Sequence, residues 1–119
     1  MRKFLPILLL LITLASDAQD YEKYRGYFRT PVNIPLEIVA NVGELRTNHW
    51  HMGLDIRTQQ RENIPVYAAA DGYIAKVSIE PGGFGRAIYI NHPNGYTTLY
   101  AHLNNFAPAL HQWVIQQQY

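Results

Sequence analysis

The sequence contains no cysteine, and its charges nearly cancel, with 10 Lys and Arg against 9 Asp and Glu in 119 residues. The absence of cysteine excludes disulfides and thiolate metal ligands, so any metal must be held by His, Asp or Glu. A chain without excess positive charge gives no electrostatic argument for binding nucleic acid or an anionic membrane. The length suits one small domain with a modest core.

Long apolar runs are also scarce, and the clearest one lies at the N-terminus. A basic start, Met1 to Lys3, precedes a mostly apolar stretch from Phe4 to Leu14, and Ser16-Asp17-Ala18 puts small residues at the −3 and −1 positions of a cleavage site. The stretch is too short to span a bilayer. The pattern is typical of a secretory signal peptide at residues 1–18, and an uncleaved anchor fits it less well. We therefore expect export to the periplasm, cell envelope or medium, with no stable membrane insertion after cleavage.

The remaining sequence predicts a mainly β domain. A polar, Tyr-rich arm at residues 19–34 precedes apolar alternation that predicts short strands at 36–40, 52–57, 66–69, 73–79, 87–91 and 96–103. Asn94-Gly95 predicts a hairpin whose two central residues both have positive φ. In the clearest strand one face is expected to carry Tyr73, Ala75, Val77 and Ile79, and the other Lys76 and Ser78.

A helix is predicted at the C-terminal end of the sequence. Apolar residues recur there at helical spacing from Phe106 to Val114, Asn105 is a suitable N-cap, and Pro108 is tolerated in a first turn. We expect this helix to run to the last residue. The predicted fold is a largely antiparallel sheet followed by one helix, with core positions for the aromatic residues Tyr67, Tyr73, Tyr89 and Trp113.

One short segment, "NHWHMGLDIR", carries a candidate metal site. In an extended strand, His51, Gly53 and Asp55 point to the same side, and Gly53 leaves space between an imidazole and a carboxylate. Both groups are zinc ligands at about 2.0–2.2 Å. The alternative, an Asp that fixes a turn beside an ordinary polar His, remains open for this segment taken alone.

A second segment, "YTTLYAHL", places another histidine near a strand end. Alternation puts Thr98, Tyr100 and His102 on one face, and His102 is then a candidate to orient water or to stabilise a developing oxyanion. The remaining histidines fit simpler roles. His92 precedes the hairpin turn and is expected to bond local backbone, and His111 lies on the predicted helix.

Three segments in this order, "GELRTNHWHMGLDIRT", "PVYAAADGYIAKV" and "GFGRAIYINHPNGYTTLYAHL", resemble the lysostaphin-type zinc metallopeptidases, which cut peptide bonds in bacterial peptidoglycan. The resemblance extends from about Pro35 to Leu103. It implies the lysostaphin-like (duplicated hybrid motif) fold for residues 35–119, with zinc in a groove on the sheet. Zinc would lower the pKa of its bound water and polarise the scissile carbonyl.

The resemblance also implies a role for each candidate residue. His51 and Asp55 match the first two zinc ligands in a His-x-x-x-Asp motif, and His102 matches the non-ligand histidine of a Tyr-x-His-Leu segment that assists catalysis. The implied function is that of an exported zinc endopeptidase that hydrolyses peptide cross-links of peptidoglycan. Arg46 belongs to the resembling segment, and we expect it to pair with an acid near the groove.

The sequence departs from the family pattern at the third zinc ligand. The family takes it from a later His-x-His, and the only histidine after His102 is His111. This difference predicts an incomplete domain, because catalytic zinc normally needs three protein ligands. A local site of His49, His51 and Asp55 is a weaker alternative. A non-catalytic domain that binds cell wall or regulates another hydrolase also remains open, whereas the leader argues against a cytoplasmic sugar phosphocarrier.

Overall fold

A computed structural model describes residues 21–118, so the leader predicted at residues 1–18 lies outside the described residues. A 3₁₀ helix at Tyr21–Tyr24 is followed by strands β1 (Ile38–Ala40), β2 (Asp55–Ile56), β3 (Tyr73–Glu80), β4 (Gly85–Asn91) and β5 (Thr97–Leu103), and by helix α1 (Pro108–Gln117). All strand pairs are antiparallel. The predicted class, a mainly antiparallel β fold with a C-terminal helix, is confirmed.

The strands form two sheets, a small one of β1 and β2 and a larger one in the order β3-β4-β5. A bulge lies in β3 between Ile74 and Lys76, where Ala75 is the extra residue. An extra residue moves all side chains on one side of the bulge to the opposite face of the sheet. The prediction that Tyr73 shares a face with Val77 is therefore wrong, because Tyr73 pairs with Asn91 and lies on the face of Lys76 instead.

Among the predicted strands, the first is shortened to Ile38–Ala40, the second is much shorter than expected and the third is absent. The strand predicted at residues 52–57 is reduced to Asp55–Ile56, since the chain bends at Gly53. The segment at 66–69 forms no regular strand, but it is held by the arm through the bonds from Tyr67 N–H to Pro31 O at 2.8 Å and from Arg29 N–H to Ala69 O at 2.7 Å. The segment at 66–69 thus makes isolated hydrogen bonds to the irregular N-terminal arm instead of the continuous hydrogen bonds of a sheet.

The hairpin between β4 and β5 is present, but its turn differs from the prediction. The N–H of Gly95 donates to the carbonyl of His92 at 3.0 Å, so Pro93 and Asn94 are the central residues. Only Gly95 has positive φ, at 87°, whereas Asn94 does not. Pro93 favours this arrangement, because its ring fixes φ near −65° and excludes a turn with two positive values.

The C-terminal helix begins and ends close to its predicted limits. Its N-cap is Ala107 rather than Asn105, without a side-chain cap bond, and Pro108 occupies the first turn. It ends at Gln117, before the last residue, and none of its residues is buried. Among residues 21–118, no helix is long and apolar enough to cross a bilayer.

The core of the described residues is small and built largely from alanine. Its buried apolar members are Val32, Ala40, Ala69, Ala87, Ile90 and Phe106. The core positions predicted for Tyr67, Tyr73 and Trp113 are wrong, because all three side chains are exposed, Tyr73 by 67%. Tyr73 is turned outward by the β3 bulge, and Trp113 lies on a helix that buries none of its residues. Tyr89 is half-buried beneath Lys76, whose Nζ lies 4.9 Å from the ring centre.

The N-terminal arm packs against the β4–β5 hairpin through aromatic rings. Phe28 lies edge-on to His92 at 5.3 Å and to Tyr96 at 6.2 Å between ring centres, and Tyr24 meets Tyr96 at 5.4 Å. The same arm borders an apolar groove of about 250 Å³ beside the small sheet, where Leu54 and Ile56 line the wall. Since neighbouring strand residues alternate, Asp55 points away from this groove.

Candidate metal-binding pair and its surroundings

His51 and Asp55 meet, although the chain between them is not a regular strand. The Nε2 atom of His51 lies 3.0 Å from Oδ1 of Asp55. A bend at Gly53 brings the two side chains together, and a Cβ at Gly53 would meet no atom within 4 Å. The two candidate side chains are therefore adjacent in the structure, and the space beside Gly53 is open.

The position of His51 is set by a loop with hairpin-like bonds, which we call the 43–51 loop. Gly43 N–H donates to His51 O at 2.7 Å, and His51 N–H donates to Glu44 O at 2.8 Å. A bridge between Leu45 and Trp50 closes the loop further. Gly43 has φ of 85°, which only glycine adopts readily, so the loop can turn there. These bonds hold His51 beside β2.

The neighbours of the His51 ring indicate which of its nitrogens carries a hydrogen. Nδ1 lies 2.9 Å from the carbonyl oxygen of Asn41, which can only accept, so Nδ1 carries a proton and donates it. In the neutral ring Nε2 then has an unshared pair facing Asp55 Oδ1, itself only an acceptor. Two acceptors at 3.0 Å need a proton or a cation between them. The pair thus suits either an ion pair with imidazolium or two positions of a metal site.

Asp55 is held from its other side by Arg46. Nη2 of Arg46 lies 3.1 Å from Oδ2 of Asp55, so each carboxylate oxygen has its own partner. The side chains remain open to solvent, with Arg46 exposed by 39% and Asp55 by 47%. The expected pairing of Arg46 with an acid is confirmed, and the carboxylate is fixed with Oδ1 towards His51.

The third expected participant, His102, is placed differently from the prediction. A bulge lies opposite β4 between Tyr100 and Leu103, and His102 has a left-handed φ of 56°. Alternation with Thr98 and Tyr100 therefore does not continue through His102. Left-handed backbone in a residue other than glycine is strained, and bulges of this kind redirect side chains.

The surroundings of His102 are open. Its backbone N–H donates to Phe84 O at 2.8 Å, and a Cβ at Gly85 would lie 3.9 Å from the ring Nδ1. Within residues 21–118 its ring makes no hydrogen bond, to His51 and Asp55 or to any other group. The turn that follows β2 is nevertheless tied to the end of β5, since Asn104 Nδ2 donates to Asn63 Oδ1 at 2.5 Å.

The remaining histidines do not add a ligand to the pair. His49 bonds Asn48 at 2.8 Å, and the described part of the chain contains no group of three His, Asp or Glu side chains that suits a metal ion. The local site of His49, His51 and Asp55 is therefore not formed. His111 lies on α1, as predicted, and its side chain is exposed. His92 occupies the predicted turn, but its side chain is buried and bonds Asp71 O, 21 residues away.

Two features of this region have no counterpart in the sequence prediction. The carbonyl of Asn41 orients His51 through a main-chain atom, which no residue type reveals. The bulge at His102 adds a residue to β5 without glycine or proline to mark it. By contrast, the presence of Arg46 close to the His-x-x-x-Asp motif was sufficient to predict that this arginine pairs with an acid.

Comparison with known proteins assigns the chain to a family. A sequence model described as "Peptidase family M23" matches residues 49–119. The "DD-carboxypeptidase/endopeptidase Mpg" of Neisseria meningitidis is 45% identical over 65 residues, which is 55% of this chain and 14% of that protein. The "Cell division protein DipM" of Caulobacter vibrioides is 31% identical over 101 residues, which is 85% of this chain and 16% of that protein.

A further relative, an "Uncharacterized metalloprotease" of Haemophilus influenzae, is 41% identical over 54 residues, which is 45% of this chain and 11% of that protein. The chain thus spans only a small part of the length of these curated relatives. No solved structure gives a significant match. The family match includes His51, Asp55 and His102 and covers more than half of the chain, which therefore belongs to peptidase family M23.

Proposed function

We propose that this chain is part of an exported zinc endopeptidase that hydrolyses peptide cross-links of bacterial peptidoglycan. The observation that carries the proposal is the pair His51 Nε2 and Asp55 Oδ1, 3.0 Å apart, with the other ring nitrogen occupied by Asn41 O. Relatives named a DD-carboxypeptidase/endopeptidase and a metalloprotease support this chemistry. Bonds between D-residues are typical of bacterial wall peptides, so the first name points to that substrate class.

In this proposal His51 and Asp55 would hold a zinc ion through Nε2 and Oδ1, the two atoms that face each other. A zinc ion held there supplies a Lewis acid that polarises the carbonyl of the scissile bond. Asn41 O fixes the tautomer and the orientation of the His51 ring, and Arg46 keeps the second carboxylate oxygen occupied. His102, on its exposed bulge, moves a proton at a ring nitrogen or stabilises charge on the reacting carbonyl.

The site needs a further ligand, which we place outside the 119 residues. Catalytic zinc normally has three protein ligands, and residues 21–118 bring together only His51 and Asp55. We propose that a His-x-His strand in a following segment completes the site. The much greater length of the relatives is consistent with such a segment. The leader at residues 1–18 would export the whole protein to the cell envelope.

The first test is to sequence the coding DNA beyond codon 119. A continuous frame that reaches a His-x-His is the expected result, and a stop codon directly after Tyr119 would contradict the incomplete-domain proposal. The chain extended through that motif should bind one zinc ion per molecule in a calorimetric titration and cleave purified peptidoglycan. An extended chain that cleaves fully without zinc would reject the proposal.

Substitution within the motif gives the matched comparison. His51→Ala in the extended chain should weaken zinc binding by roughly 100-fold or more, because one of three ligands is lost and the orienting bond to Asn41 goes with it. His49→Ala removes a histidine of the same segment that bonds only its neighbour Asn48 through its side chain within the described residues, and it should leave zinc affinity unchanged. Equal loss in both variants would argue against the assigned pair.

A second candidate function is a non-catalytic domain that binds cell wall or regulates another hydrolase. The observation in its favour is that the described residues supply two metal-binding side chains instead of three. The retained pair argues against it, because a domain without catalysis has no need for the His51–Asp55 arrangement. Binding to purified wall without zinc-dependent cleavage, in the extended protein, would favour this alternative.

A further inference from the structure

Arg46 is attached to the metal-binding pair through only one of its nitrogens. Nη2 donates to Asp55 Oδ2 at 3.1 Å, and this is the one side-chain hydrogen bond of Arg46 in the described residues. A guanidinium carries five N–H donors in a rigid planar arrangement. Since the side chain is 39% exposed, the Nε and Nη1 donors remain available to a ligand from solvent.

The position of these donors is defined by Asp55. His51 meets one oxygen of this carboxylate at 3.0 Å and Arg46 meets the other at 3.1 Å, so imidazole and guanidinium flank a single small group. Consecutive Cα atoms of a peptide are about 3.8 Å apart. An anion bound to Arg46 would therefore lie within roughly one or two residues of a peptide carbonyl placed at the His51–Asp55 pair.

The loop that carries Arg46 keeps the guanidinium at this place. Arg46 N–H donates to His49 O at 2.9 Å, within the 43–51 loop that also positions His51. Arginine and histidine are thus fixed by the same short segment, on either side of Asp55. A charge fixed in this way recognises a carboxylate by charge-assisted N–H···O bonds of defined direction, which a flexible lysine cannot reproduce.

We propose that Arg46 binds the terminal carboxylate of a substrate peptide, so that the site prefers a scissile bond close to a free C-terminus. This inference rests on the proposed function and narrows its substrate class to wall peptides in which the scissile bond lies next to a free carboxylate. In a carboxypeptidase-type cleavage the carboxylate beside Arg46 would place the last peptide bond at the His51–Asp55 pair. If Arg46 serves only as the counter-ion of Asp55, a carboxylate and a neutral amide will bind alike.

The test compares two ligands that differ only in this group, N-acetyl-D-alanyl-D-alanine and its C-terminal amide. Binding to the chain extended through the proposed His-x-His is followed by chemical-shift changes in NMR titrations. We expect the acid to bind about tenfold more tightly than the amide, the difference expected of one charge-assisted contact. Because this comparison uses the unmodified protein, it does not depend on the folding of a variant.

Variants then assign the preference to Arg46. Arg46→Gln should remove the difference between acid and amide, and Arg46→Lys should retain part of it, because a point charge replaces the forked donor. Arg57→Gln is the matched control. It removes an arginine that pairs with Glu37 at 3.3 Å beside the same small sheet, and it should keep the full preference.

Equal binding of acid and amide to the unmodified chain, or no binding of either, would overturn the inference. A preference that survives in Arg46→Gln would do the same. The zinc titration with His51→Ala reports separately on the proposed function. If the extended chain binds zinc but shows no preference for the acid, only the role of Arg46 is rejected. If it shows the preference but binds no zinc, Arg46 is supported as an anion site and the zinc peptidase is rejected.

Discussion

The buried imidazole of His92 connects three separate segments. Its Nδ1 donates to Asp71 O at 2.7 Å, and its Nε2 lies 2.8 Å from the hydroxyl of Thr98 on β5. That hydroxyl is 2.9 Å from the hydroxyl of Tyr100, which accepts the Ala69 N–H at 2.7 Å. Bonds linked in this way support one another in a poorly solvated environment. His92 therefore contributes to the fold rather than to the His51–Asp55 pair.

Replacing His92 should destabilise the protein. His92→Ala removes the donor to Asp71 O, leaves the Thr98 hydroxyl with Tyr100 as its one remaining side-chain partner among the described residues, and opens a cavity at a side chain that is 5% exposed. We expect the free energy of unfolding to fall by about 2 kcal/mol, measured by urea denaturation. His111→Ala, at an exposed helix position, should change it by less than about 0.5 kcal/mol. Similar losses in both variants would contradict this role for His92.

Residue spacing predicted part of the site. The four-residue separation of His51 and Asp55, with glycine between them, predicted that both side chains point to the same side of a strand. The structure brings the two side chains to 3.0 Å through a bend at Gly53 instead, because the strand is only two residues long. The tautomer of His51 was not predictable, because it depends on a main-chain carbonyl, at Asn41. The left-handed backbone of His102 was not predictable either, because it arises from strand register and not from residue type.

At the scale of elements, the turn after β2 has an unusual sequence for its geometry. Arg61 N–H donates to Thr58 O at 3.0 Å, and both central residues, Gln59 and Gln60, have positive φ, at 54° and 57°. Two positive values are typical of a type I′ turn, in which Asn-Gly is strongly preferred. Two glutamines adopt this conformation at an energetic cost, because Cβ approaches the backbone in the left-handed region.

An Asn-Gly turn should therefore stabilise the protein. The double substitution Gln59→Asn and Gln60→Gly should raise the free energy of unfolding by about 1 kcal/mol, since both new residues tolerate positive φ. Circular dichroism during urea denaturation provides the measurement. Gln112→Gly in the exposed middle of α1 is the opposite control and should lower stability by about 0.5–1 kcal/mol. A decrease in the double variant would show that the turn is not strained.

Strand prediction succeeded where alternation was unbroken and failed at bulges. The pattern located β3, β4, β5 and the helix, because their apolar residues repeat at regular intervals. It predicted the wrong face of the sheet for Tyr73, because alternation of apolar residues cannot reveal the extra residue at Ala75. It also predicted a strand at 66–69, where β-branched and small apolar residues are present but the partner is the irregular arm.

At the scale of the molecule, a small core is combined with open sheet edges. In the order β3-β4-β5, both β3 and β5 have one unpaired side within residues 21–118. Apolar residues on β3 are also exposed, among them Ile74 by 49% and Ile79 by 48%. Unpaired strands with apolar side chains are templates for association with other chains. The 119-residue chain should accordingly be marginally stable and prone to aggregate.

A charge on the open strand should reduce this association. Ile79→Lys is expected to increase the monomer fraction in size-exclusion chromatography at micromolar concentration, because lysine at an edge disfavours strand pairing. Gln112→Lys adds the same charge on α1, away from the edge, and should have a smaller effect. A soluble monomer that unfolds cooperatively on heating, without any substitution, would contradict the prediction of marginal stability.

The contact between the N-terminal arm and the β4–β5 hairpin makes the folding unit larger than the segment matched by the family model. The family match starts at residue 49, yet Tyr24 and Phe28 cover Tyr96 and His92, and β1 supplies the partner of β2. A recombinant fragment cut at the start of the family match would lose those rings, the Asn41 carbonyl and half of the small sheet. Fragment boundaries for expression therefore belong upstream of Tyr21, where the described fold begins.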